Sequence, residues 1–131
     1  MRTVEYELGG QTYHLCMNGT ALFDVYEKFG TEKSVSEHIQ GPDKESHQAT
    51  CWMLAKFAEQ GELVRRFQGH TPAMIPTEHF FRAMLLPTDL AGAANALMRT
   101  IRQGFLREEP DEQPKRVDLG LQELQKKTGP G

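Results

Sequence analysis

Five histidines, two cysteines and eighteen carboxylates are the side chains of this chain best suited to chemistry. Zinc needs four ligands at workable spacing. His14, His38, His47, His70 and His79 include no pair four residues apart and no HExxH run. His14 and Cys16 alternate with one residue between them, so on a strand they share a face. No further two ligands follow at a recognisable spacing. Nucleophilic catalysis has no GxSxG turn to stand on. Cys51 runs directly into Trp52 and Met53, a context of burial rather than thiolate activation. Gly9-Gly10 lacks the surroundings of a phosphate-binding loop. Carboxylate pairs such as Glu5/Glu7 fall on an exposed strand face, and Glu108 to Glu112 fall in a charged linker. The expectation is a protein that is not an enzyme and holds neither cofactor nor metal.

The elements that carry these residues begin with a hairpin. Val4, Tyr6 and Leu8 alternate with polar neighbours up to Gly9-Gly10, and Tyr13, Leu15 and Met17 alternate after it. A glycine pair supplies the positive φ of a two-residue turn. Pairing across it sets Leu8 opposite Gln11, Tyr6 opposite Tyr13 and Val4 opposite Leu15. One face is apolar, and the other pairs Glu5 with His14 and Glu7 with Thr12. An isolated hairpin is marginal, so this face must lie on helices or on another chain.

Helical spacing takes over after Asn18-Gly19-Thr20. Leu22, Val25, Tyr26 and Phe29 form a stripe that Gly30 can cap. A short helix is expected over Ser34–Ile39, broken by Gly41-Pro42. Asp43 can cap a long helix to Gln60, central to the core, with Gly61 a point of interruption before Glu62–Phe67. Two helices meeting at Gly61 would superficially resemble a helix–turn–helix carrying Arg65 and Arg66, but a second helix of about Glu62–Gln68 is too short to read a groove well. Thr77 can cap a short helix holding Phe80, Phe81, Met84 and Leu85. The last helix runs from Asp89 to about Leu106, with Leu90, Ala94, Leu97, Ile101 and Phe105 as its stripe. From Arg107 onward charge and proline replace the apolar pattern. Val117, Leu121 and Leu124 share helical spacing beyond Pro110 and Pro114.

The resulting fold class is α+β: an N-terminal β-hairpin packed on a small bundle of four to five helices, with a flexible C-terminal tail. Residues 1–106 form the domain and residues 107–131 an acidic linker with a short amphipathic end. With 38% apolar residues, 131 residues suffice for one core. No apolar run approaches the roughly 20 residues of a membrane span. Met1-Arg2-Thr3-Val4-Glu5 lacks a signal peptide's apolar core, and two cysteines make no disulfide framework. A cytoplasmic, reduced protein is expected. The net charge of −3 conceals a division: residues 1–64 carry −5 and residues 65–106 carry +3. That acidity disfavours nucleic acid as the main partner, and the division suits self-association.

The order of segments resembles a known family. "YELGGQTYHL", followed at once by "MNGTALFDVYEKFG", and a proline-broken linker leading to "VDLGLQELQKK", look like the tail assembly chaperones of long-tailed bacteriophages and prophages. The resemblance implies a non-enzymatic oligomer in the host cytoplasm. It would coat the tape-measure protein, a long apolar rod, and keep it in solution until tail-tube proteins polymerise around it. It would then be absent from the finished virion. The family's motifs assign no binding residues. The apolar sets read above supply the candidates for partner binding: Val4, Tyr6, Tyr13 and Leu15 on the hairpin, Phe80, Phe81, Met84 and Leu85 between two prolines, and Val117, Leu121 and Leu124 in the tail. The alternatives are another phage structural or connector-type protein, or a small DNA-binding regulator.

Overall fold

A computed structural model describes residues 2–106. Strand β1 (Val4–Leu8) pairs antiparallel with β2 (Gln11–Leu15) in the register expected from the sequence, Val4 to Leu15 and Tyr6 to Tyr13. Gly9 and Gly10 have φ of 60° and 78°, the left-handed pair that matches a hairpin's twist. Four helices follow: α1 (Gly19–Phe29), α2 (Lys44–Phe67), α3 (Glu78–Met84) and α4 (Leu90–Gly104). Short 3₁₀ turns at Val35–Ile39 and Pro87–Asp89 link them. The fold is α+β.

Side chains at the helix starts take up backbone N–H groups that have no partner within the helix. Asn18 Oδ1 accepts from Ala21 at 3.0 Å, Asp43 Oδ1 from Ser46 at 2.9 Å and Thr77 Oγ1 from Phe80 at 3.1 Å. Asn18 also donates through Nδ2 to Gln60 Oε1 at 3.0 Å, which fixes the start of α1 against α2. Gly30, at φ 86°, ends α1 by donating to the Tyr26 carbonyl.

The apolar face of the hairpin lies on helices of its own chain. β2 runs along α2 and β1 packs on α4. Val4, Tyr6, Leu8, Tyr13 and Leu15 join one core with Val25, Met53, Leu54, Phe57, Phe81 and Leu97. Two features depart from the sequence-based expectation. Helix α2 passes through Gly61 without a break, so no helix–turn–helix forms there. A Cβ at position 61 would overlap the His14 carbonyl, and one turn earlier the Phe57 carbonyl accepts the Cys16 N–H at 3.0 Å. Glycine is needed for the strand to approach, not to stop the helix.

Helix α4 is also rotated from its expected face. It buries Ala93, Ala96, Leu97, Thr100 and Ile101, while Leu90 and Ala94 are half-buried and Phe105 is exposed. The cause is again close approach. A Cβ on Gly104 would come 2.7 Å from the Met17 carbonyl oxygen, so the end of α4 lies tight against the chain just after β2.

Candidate interaction surface

Five of the eleven residues expected to meet a partner belong to the interior instead. Val4, Tyr6, Tyr13, Leu15 and Phe81 are buried by the chain's own helices. The α+β packing itself covers the face that the hairpin alone would leave wet. Val117, Leu121 and Leu124 lie outside the described residues. Phe80, Met84 and Leu85 remain at the surface.

These three stand on and just after α3, a helix of seven residues. Phe81 anchors it, fully buried, with its ring edge-on to Tyr13 at 5.5 Å between centroids. Phe80 is half-buried and also meets Tyr13 edge-on, at 6.0 Å. Met84 is 42% exposed and reaches over the hairpin turn, where its Cε would lie 3.3 Å from a Cβ on Gly9. Leu85 is half-buried and Leu86 is 62% exposed. The chain after α3 is held by Asp89, whose Oδ2 accepts the Leu86 N–H at 2.9 Å. Along and just after α3 the chain thus presents an apolar platform in which Met84 and Leu86 are exposed while Phe80 and Leu85 pack partly against the core. Scattered exposed apolar side chains are ordinary, and neighbouring ones become candidates for a contact surface.

A second apolar region was not legible in the sequence. The beginning of β1, the start of α1 and the end of α4 enclose a groove of about 360 Å³, walled by Val4, Leu15, Met17, Leu22 and Leu106. Phe105 and Leu106 stand exposed where α4 ends. Helical periodicity places Phe105 on the core stripe and ends the domain at Leu106. Only the rotation of α4 brings them out.

The polar groups are mostly engaged in holding the fold. Glu62 is buried on α2, where burial works against its charge. The Ala73 N–H at 2.6 Å, Arg66 Nε at 3.0 Å and Arg65 at 2.6 Å outweigh that and hold its carboxyl below the usual carboxylate range. Arg66 further donates to the Ala73 carbonyl at 2.9 Å, so this network fastens the segment after α2 to the helix. Burial lowers His14, and Arg65 adds to the effect.

His38 stacks on Phe29 at 4.9 Å, with Nε2 buried and without a hydrogen-bond partner. Burial and then Lys33 push its pKa down. Burial pushes the Cys51 thiol up, away from nucleophilic character. Among the described residues no group of three or more His, Cys, Asp or Glu is placed to hold a metal ion, and no helix is long and apolar enough to cross a membrane. No protein-family model, curated protein or solved structure matches this chain.

Proposed function

We propose that this chain is a tail assembly chaperone of the long-tailed phage type, acting in the host cytoplasm. It coats a tape-measure protein and recruits tail-tube subunits through protein–protein contact, with copies of itself alongside. The α3 platform carries this reading: Phe80, Met84, Leu85 and Leu86 offer apolar surface on an element fixed by Thr77, Phe81 and Asp89. Holding an apolar rod in solution calls for such a surface, repeated over many weakly binding copies. The resemblance of the hairpin, first helix and linker to that family supports the same reading.

Co-expression with a tape-measure segment tests it. The pair is expected to remain in the soluble fraction and to co-purify. The double substitution Met84→Ser and Leu86→Ser alters exposed side chains, so the melting temperature should stay within a few degrees while the segment precipitates. A complex that survives both substitutions in a folded chain refutes the platform. Stoichiometric incorporation into purified particles refutes the chaperone role and identifies a connector-type protein.

A further inference from the structure

The groove between β1, α1 and α4 opens where the described chain ends, with Leu106 on its wall. It is concave, unlike the α3 platform, and its volume is about 360 Å³. An apolar cavity of about 150 Å³ accepts a benzene-sized group, so this one has room for roughly two side chains of that size. We propose that residues 117–124 of this chain are its occupant.

Three observations select that segment. Val117, Leu121 and Leu124 are spaced i, i+4 and i+7, the spacing that shares one face if the segment docks as a helix. Residues 107–116 join Leu106 to Val117, a tether that reaches up to about 33 Å when extended. The groove begins at the tether's own anchor point, so the segment is present at an effective concentration on the order of millimolar. Charge complements this path. The tether's Glu108, Glu109, Asp111 and Glu112 outnumber its Arg107, Lys115 and Arg116, and in sequence it follows the last turn of α4, which carries Arg102, with Arg2 lining the groove. The contact requires no other molecule and stands apart from the chaperone reading.

Hydrogen exchange read by mass spectrometry on the full chain tests it. Amides of residues 117–124 and of Asn18–Leu22 should exchange at least about tenfold more slowly than free-peptide rates. The double substitution Leu121→Glu and Leu124→Glu should remove protection from residues 117–124 and accelerate exchange in Asn18–Leu22, with Met53–Phe57 unchanged. The same protection should hold across a fiftyfold range of protein concentration, roughly the interval that separates a tethered contact from a bimolecular one. Free-peptide exchange over 117–124 in the unsubstituted chain overturns the proposal. So does protection that grows with concentration, which assigns the groove to a second copy.

Discussion

A methyl group at position 61 would overlap the His14 carbonyl, whereas one at position 92 would meet nothing within 4 Å. Both glycines are helical, and a helix ordinarily gains about 1 kcal/mol when alanine replaces glycine. Gly61→Ala should lose that gain to overpacking of about 1–3 kcal/mol and to the strained hydrogen bond from Cys16 to Phe57. Urea unfolding should show Gly61→Ala destabilised by about 2 kcal/mol, and Gly92→Ala stabilised by roughly 0.5 kcal/mol. The same sign at both positions would contradict the close approach of β2 to α2. Propensity reads Gly61 as a weak point because its reason lies on a distant strand, beyond any local window.

At the scale of elements, caps and turns were legible because their chemistry is local. Asn18, Asp43, Thr77 and Gly30 sit at the helix ends that their types announce, and Gly9-Gly10 set the hairpin register. The face of α4 was not legible. Leu90 and Phe105 outweigh Ala93, Ala96 and Thr100 in any pattern based on size, yet it is the small residues that the fold buries. Helix α3 tests the local part of this account. It has seven residues, too few to persist alone, so Thr77 and Phe81 must hold it. Thr77→Ala should remove about 1 kcal/mol. Amide exchange over Phe80–Met84 should then quicken well before that of α2. If α2 and α3 accelerate together, α3 is not a separate unit and the platform is part of the global core.

The molecule as a whole should lose stability on acidification in two stages. His14 and His38 have folded-state values lowered by burial, so the unfolded chain takes up their protons more readily. Their contribution is complete above the unfolded value near 6.5 and is lost as pH falls from there toward the folded values. The carboxyl of Glu62 is held below its unfolded value of 4.5, so its stabilisation is complete above that value and disappears as pH falls through the folded one. Asp43, held low by the Ser46 N–H, acts in the same direction. Urea midpoints measured between about pH 8 and about pH 3 should therefore fall twice, and Glu62→Gln should flatten the second decline while leaving the first. A midpoint that rises between about pH 7 and about pH 5 would reverse the sign assigned to the histidines.

The seating of β2 on α2 also has a consequence in time. A ribosome adds roughly 5–20 residues per second, so the hairpin is made seconds before Phe57 and Gly61 exist to receive it. Tyr6 and Tyr13 wait in water through that interval, on a two-stranded unit too small to hold itself together. A nascent chain that has completed α2 has the helix on which β2 lies, but not yet α4, on which β1 packs. The hairpin is therefore made before either of the helices that receive it, and its full seating waits for the synthesis of α4.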